Sequence, residues 1–339
     1  MNLLPQLAAT GLFMLVVLLV AACCLRILVL LALRRLTRQD YLRRPWLDRP
    51  VVRAVILALG LIGACCFLYA WRVEPFRLNA TLEALSMPLL PGGGRIRIVH
   101  LSDLHIDEDG QPVAGLGMAL GAAPGGSGGP EVGLADLVNA QTPDLVLMTG
   151  DYLNTSAPEA EATLRRLLRS LHPRHGIYAV LGNWDYRSWS RARAILAEEG
   201  VQVISSAKAE VIIQGTHIRL LGDTLPARPA IPPESGAKRA WTVFLTHTPD
   251  QVEDVAGKVD LYLCGHTHGG QIRLPFFGAL LTLSRFWKRY EMGRYEVGGT
   301  TLFVNRGIGC EGGPTPRVRF LSPPEILVID LVGESPTLR

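Results

Sequence analysis

Cysteine is scarce in this chain of 339 residues: there are six, and Cys23, Cys24, Cys65 and Cys66 lie inside apolar runs. Cys264 and Cys310 remain, far apart and without framework spacing, which excludes a disulfide scaffold. The first ten residues hold no lysine or arginine and no evident small-residue cleavage site, against a removed signal peptide. A basic stripe is missing as well. The formal charge of +4 arises between Arg34 and Arg53, where seven arginines face only Asp40 and Asp48. Outside that segment the 34 basic and 30 acidic residues reduce to 27 and 28. Nothing in that balance tracks a phosphate backbone, so nucleic acid is not expected as a partner.

Two long apolar runs are present. Gly11 to Leu33 is apolar except for Arg26, and its 23 residues suffice to cross a hydrocarbon layer that needs about 20 in a helix. Arg26 sits in the later half, where a long side chain reaches toward headgroups. Val51 to Trp71 follows, with Arg53 at its start and Tyr69 and Trp71 at its end, where aromatic residues favour the interface. Residues 1–72 therefore read as a membrane anchor with two transmembrane helices, about 11–33 and 51–71. The arginines of the short connecting loop place it in the cytoplasm, so everything after Trp71 is expected outside. The cell membrane is the expected location, with two passes. The alternative is a buried helical hairpin of a soluble protein. Too few polar groups lie within the runs to offer a transport path.

Residues 73–94, with Pro75, Pro88, Pro91 and three consecutive glycines, read as a linker. From 95 to 332 short apolar runs alternate with helical stretches in an α/β pattern, and 333–339 form a tail. Strands are expected at Arg95–Leu101, Asp144–Thr149, Ile177–Leu181, Trp241–Leu245, from Leu261 and at Glu325–Leu331. Val201–Leu221 reads as strands with a hairpin at Gly215, and a second hairpin centres on Gly298–Gly299. One helix follows Pro158, its face marked by Leu164, Leu167, Leu168 and Leu171; another spans Trp189–Glu199. Gly110 to Gly133 looks like a flexible insertion.

Five strand ends deliver polar side chains of one chemical kind. They are Asp103 and His105, Asp151, Asn183, His247, and the pair His266 and His268. Residues two apart on an extended chain point the same way, so His266 and His268 can share one site. An isolated His-x-His is more often two polar loop residues, and only the other four strand ends shift the balance toward metal. Oxygen and nitrogen donors without thiolate suit manganese, iron, cobalt or zinc. Seven donors are too many for one such ion and about right for two sharing a carboxylate. A water held between them can attack phosphorus in line, giving phosphoester or phosphoanhydride hydrolysis.

In this order, Asp103-x-His105, Gly150-Asp151, Gly182-Asn183, Thr246-His247 and Gly265-His266-x-His268 resemble the calcineurin-like metallophosphoesterases. The resemblance runs from about Arg95 to Leu331. It implies a β-sandwich flanked by helices with metals at the strand ends. It further implies one ion on Asp103, His105, Asp151 and His268, and a second on Asp151, Asn183, His247 and His266, with Asp151 as bridge. The two amino-terminal runs, Glu74-Pro75-Phe76, Gly269–Pro275 and Asn305–Gly309 are similar to the YkuE/YaeI-type membrane-associated branch.

Many relatives carry a histidine where this chain has Trp184, and indole cannot protonate a leaving oxygen. A phosphate or activated leaving group needs that proton least, so pyrophosphate-like or activated esters are expected substrates. Packing is the alternative role for Trp184. Asp107 and Asp185 are candidates for orienting imidazoles, and Arg273 and Arg306 for contacting phosphate; turn residues and solvated arginines are the alternatives. His100 is expected in the core, His172 and His175 in solvent beside Pro173, and His217 in a hairpin. The expected activity is that of a membrane-anchored phosphodiesterase or pyrophosphatase acting on a phosphorylated small molecule or lipid. Cleavage of UDP-diacylglucosamine suits a lipid pyrophosphate but uses a cytoplasmic nucleotide, against the topology. A non-catalytic metal-binding sensor or scaffold with the same fold is the alternative.

Overall fold

The computed structural model describes residues 3–39, 49–108, 133–187, 190–204, 208–223, 240–311 and 317–333. The Gly-rich insertion except Gly133, Arg43 and Arg44 of the basic loop, Trp189 at the expected helix start, and the tail beyond Gly333 lie outside the described residues.

Two helices come first, α1 (Leu4–Thr37) and α2 (Pro50–Arg72). Each has proline in its opening turn, where the missing N–H costs nothing. Both are long and apolar enough to cross a membrane. Leu12, Leu18, Leu25, Leu61 and Ile62 face outward, so neither helix is the buried core of a soluble domain. At 34 residues α1 is about 50 Å long, more than a hydrocarbon core of roughly 30 Å requires. It starts seven residues before the expected span.

The remaining elements are β1 (Asn79–Ser86), β2 (Arg95–Leu101), α3 (Leu134–Ala140), β3 (Leu145–Thr149), α4 (Pro158–Ser170), β4 (Ile177–Val180), α5 (Ala192–Glu198), β5 (Gln202–Val203), β6 (Lys208–Ile213), β7 (Thr216–Gly222), β8 (Trp241–Leu245), α6 (Val252–Val255), β9 (Leu261–Cys264), β10 (Arg273–Leu274), β11 (Gly278–Ala279), β12 (Gly293–Val297), β13 (Thr300–Val304) and β14 (Glu325–Val332). They form two six-stranded sheets, β1-β14-β2-β3-β4-β5 and β12-β13-β9-β8-β7-β6, and a small β10-β11 hairpin.

Alternation along the strands explains the layers. In β2, Ile96 and Ile98 point between the sheets while Val99 and Leu101 join the outer layer under α3, α4 and α5. In β9, Leu261 and Leu263 point between the sheets while Tyr262 and Cys264 join the opposite outer layer with Val252 and Val255 of α6. Strands with apolar residues on both faces are buried on both faces. The result is the expected helix-flanked β-sandwich.

One stretch differs from its reading. The expected linker, 73–94, carries β1, which pairs in parallel with β14 along its whole length, Asn79 opposite Glu325 through Ser86 opposite Val332. As an edge strand it is mostly exposed, so its sequence, Asn-Ala-Thr-Leu-Glu-Ala-Leu-Ser, lacks the apolar run of a central strand.

β2, β3 and β4 are parallel neighbours in one sheet, and β8 and β9 in the other. Their carboxyl ends therefore open on one shared edge, where α/β sheets hold ligands.

Candidate metal centre

The seven donors leave that edge on tight turns. Asp103, His105, Asp151, His266 and His268 all have positive φ, between 45° and 69°. Left-handed backbone at a non-glycine residue costs roughly 1–3 kcal/mol and persists only where the surroundings enforce it. The enforcement is backbone pairing between turns: Asp103 N donates to Gly150 O and His105 N to Asp151 O, both at 3.0 Å. Gly265 is required by proximity, since a Cβ there would lie 2.0 Å from Ser102 Oγ and 2.1 Å from Asp103 Oδ2.

Two trios of donor atoms result, Asp103, His105 and His268, and Asp151, His247 and His266, each compact enough to hold a metal ion. In the first, His105 Nε2 lies 3.1 Å from His268 Nε2, which is 3.4 Å from Asp103 Oδ1. In the second, His247 Nε2 lies 3.1 Å from both His266 Nδ1 and Asp151 Oδ2. Asn183 Oδ1 joins the second trio, 3.1 Å from His247 Nε2. Asp151 Oδ2 is also 3.7 Å from His105 Nε2, so this one oxygen stands between the trios. The structure thus brings all seven residues together.

The hydrogen bonds around the imidazoles decide which nitrogens are free. His105 Nδ1 meets Asn154 Oδ1 at 2.7 Å, His247 Nδ1 meets Thr149 O at 2.7 Å, and His266 Nε2 meets Leu283 O at 3.3 Å. Each partner is an acceptor, so each ring places its proton there and turns a lone pair inward. Facing nitrogens 3.1 Å apart need a proton or a metal cation between them, and a ring whose other nitrogen already carries its proton can ligate a metal once the inward nitrogen is unprotonated. His268 is held otherwise. Arg319 Nη2, a donor, lies 3.2 Å from its Nδ1, and ligation through Nε2 requires those hydrogens to go to Arg306 O and Gly307 O, at 3.0 and 3.2 Å.

The electrostatics agree with that fit. Burial disfavours a charged imidazole, yet Asp151 and the other partners push His247 up to about 10, so the pocket favours positive charge there. Burial would raise the Asp103 carboxyl, and the imidazoles, His268 foremost, instead hold it below its ordinary value. Each aspartate has one oxygen fixed by the protein. Asp103 Oδ2 accepts from Ser102 Oγ at 2.6 Å and His266 N at 2.9 Å, and Asp151 Oδ1 accepts from Trp184 N at 2.8 Å.

The other candidates fall around this centre. Asp185 touches no imidazole; it accepts from the amides of Asp151, Tyr152 and Gly182, tying two turns together. Burial, and then the charge of Asp151, push its carboxyl up to about 7. Asp107 pairs with Arg317, Arg306 with Glu325, and Arg273 with Glu291. The Trp184 ring stands edge-on to His105, with centroids 5.7 Å apart, and its Nε1 donates to Glu311 Oε1 at 3.1 Å. Arg187 covers its face. His100 is buried as expected and begins a relay: His100 Nε2 to Thr149 Oγ1 at 2.8 Å, Thr149 to Ser102 at 2.7 Å, then Ser102 to Asp103. Asn154, Arg319 and this relay were not found from the sequence. Only Ser102, next to Asp103, carried a local signal.

A helix-flanked α/β sandwich with paired His and Asp trios at its strand ends defines a class of metal-dependent hydrolase. The calcineurin-like phosphoesterase family matches residues 96–270, more than half of the chain, and the chain belongs to that family. It is a metallophosphoesterase, acting on phosphoester bonds. It is 29% identical over 279 residues to the metallophosphoesterase YkuE of Bacillus subtilis, covering 78% of this chain and 88% of that protein. Phosphodiesterase YaeI of Escherichia coli is 28% identical over 198 residues, covering 57% and 72% respectively. The UDP-2,3-diacylglucosamine pyrophosphatase LpxG of Chlamydia trachomatis is 24% identical over 340 residues, covering 81% and 96%.

Asn154→Ala removes the acceptor that orients His105. It is expected to weaken metal affinity by about 10–100-fold, read by metal titration of the full chain in detergent, while Asn154→Asp retains binding.

Proposed function

We propose that the chain is a membrane-anchored phosphoesterase using two divalent cations to hydrolyse phosphodiester or pyrophosphate bonds outside the cytoplasm. Asp103, His105, Asp151 and His268 would hold one ion, and Asp151, Asn183, His247 and His266 the other. The observation that carries this reading is Asp151 Oδ2, which faces His247 at 3.1 Å and His105 at 3.7 Å. Such ions, when bound, supply Lewis acidity toward the phosphoryl oxygens and an activated water.

The chain's own groups supply positioning. Asn154, Thr149 and Leu283 fix three ring orientations through the bonds described above. The Trp184 amide holds Asp151, and its indole, committed to Glu311, walls the site beside His105. No imidazole stands in place of that indole to protonate a leaving group, which favours leaving groups that need no acid. The seven donors all being present favours turnover over a sensor that binds metal without catalysis. The outward-facing leucines of α1 and α2 support two membrane passes, and the arginines between them support a cytoplasmic loop. The pyrophosphatase named for LpxG supports a lipid-linked pyrophosphate as one substrate class.

Three outcomes are expected. Asp151→Asn in the full chain should remove hydrolysis of bis(p-nitrophenyl) phosphate and lower bound metal from two ions per chain; wild-type activity with intact metal content would rule out the bridge. Wild-type enzyme should cleave an aryl phosphodiester faster than a matched alkyl one by about 10²–10⁴-fold, and equal rates would remove the proposed role of Trp184. A reporter active only in the periplasm, fused after residue 72, should be active; silence there with activity of a cytoplasmic reporter would invert the topology.

A further inference from the structure

The interfacial end of α2 touches the catalytic domain close to the metal centre. Tyr69 packs edge-on against Phe320, with centroids 6.2 Å apart, and Arg319 N donates to Ala70 O at 2.9 Å. Tyr69 and Trp71 are the aromatic residues that mark where such a helix leaves the bilayer. On the reading of α2 as a span, the segment 319–321 lies at headgroup depth. On the far side of that segment, Arg319 Nη2 lies 3.2 Å from His268 Nδ1, so one side chain separates the interface from the centre.

The β10–β11 hairpin grows from the same segment. Ile272 bridges to Phe320, and Arg273 N donates to Phe320 O at 2.9 Å. Its tip is Phe276 and Phe277, the former fully exposed and the latter 45% exposed, and Leu321, which follows Phe320 in sequence, is 44% exposed. Phe276 has φ 64°, a backbone that glycine adopts without strain and phenylalanine does not. A ring held there at such cost, fully exposed among the described residues, fits an apolar medium outside the chain. Lys288 braces the tip: its Nζ donates to Ala279 O at 2.7 Å and lies 3.7 Å from the Phe277 ring centroid. The start of α1 holds the segment that follows the hairpin. Gln6, fully buried, donates from Nε2 to Ser284 O and accepts from Thr282 N, both at 2.9 Å. The hairpin is thus tied to the segment that α2 holds and leads into the segment that α1 holds.

Resting on the reading of α1 and α2 as spans, we propose that this hairpin is a foot that inserts Phe276 and Phe277 into the leaflet from which the helices emerge. The metal centre behind it then takes the phosphate of an amphiphile held in that leaflet, a phosphodiester- or pyrophosphate-linked lipid. Apolar tip residues at interface depth match how peripheral elements enter the headgroup boundary.

The test uses the full chain in phosphatidylcholine and phosphatidylglycerol vesicles, with p-benzoylphenylalanine placed singly at position 276, at Leu61 within α2, or at Ile212 on the distant edge strand β6. Lipid adducts, read by mass, are expected at 61 and 276 and not at 212. An adduct at 61 alone overturns the foot and leaves the anchor; none at 61 overturns the anchor reading itself; adducts at all three overturn the foot, because contact then discriminates nothing. In parallel, Phe276→Ser should slow hydrolysis of vesicle-embedded CDP-diacylglycerol by about fivefold while leaving the rate on soluble bis(p-nitrophenyl) phosphate unchanged. An equal effect on both substrates, or on neither, overturns the lipid-substrate part.

Discussion

One carboxylate with two divided duties organises the centre. Asp151 Oδ1 is taken by the Trp184 amide, which fixes the plane of the group and leaves Oδ2 to face His247 and His105 at once. Had both oxygens been free, the side chain could rotate and serve one trio at the expense of the other. Had neither been free, no atom would stand between them. The three amides bound by Asp185 hold the backbone on which this depends, because they lock Gly182, Asp151 and Tyr152 into one rigid corner.

That arrangement is expensive. Five donors in left-handed backbone, at roughly 1–3 kcal/mol each, together approach the whole net stability of a typical domain, about 5–15 kcal/mol. Buried carboxylates add a desolvation penalty that only hydrogen bonds and neighbouring imidazoles offset. The sandwich meets this cost away from the centre. Its central strands are buried on both faces, and every strand that delivers a donor is paired on each side within its sheet. Strain at the strand ends is thus confined by order along their lengths. His247 Nδ1 reaching Thr149 O adds a cross-tie between the two sheets at the point where the turns begin.

The sequence carried the fold wherever burial was two-sided. β2, β8 and β9 were readable because a central parallel strand must be a short apolar run, and the residue after such a run falls at the ligand edge. β1 was not, because an edge strand with one wet face has no such signature. The seven donors were readable because each follows a strand end. The groups that orient them were not: Arg319 meets His268 from 51 residues away and Gln6 meets Thr282 from 276 residues away. Arg306 illustrates the converse. Its position beside a site loop made it a candidate phosphate contact, yet Glu325, whose own carboxyl is raised by burial, holds it in a buried pair. Proximity in sequence to a site says where a backbone goes, and the partner a side chain finds depends on tertiary packing.

The two apolar helices also hold the loops of the centre. Gln6 satisfies Thr282 N and Ser284 O, the two residues flanking Leu283, whose carbonyl sets the tautomer of His266. At the other flank, Ala70 O holds Arg319 N, and buried Glu74 accepts from Ser322 N while Ser322 Oγ donates to His268 O at 2.6 Å. Both halves of the His-x-His pair are thus oriented through loops that the amino-terminal segment holds in place. Leaving such buried groups without partners costs about 1–3 kcal/mol each, and a loop relieves that cost by moving. Movement of either loop turns an imidazole away from its trio. Cutting the chain at residue 72 would remove Gln6 and Ala70 together, so the amino-terminal helices and the centre form one structural unit, joined by hydrogen bonds rather than by a free linker.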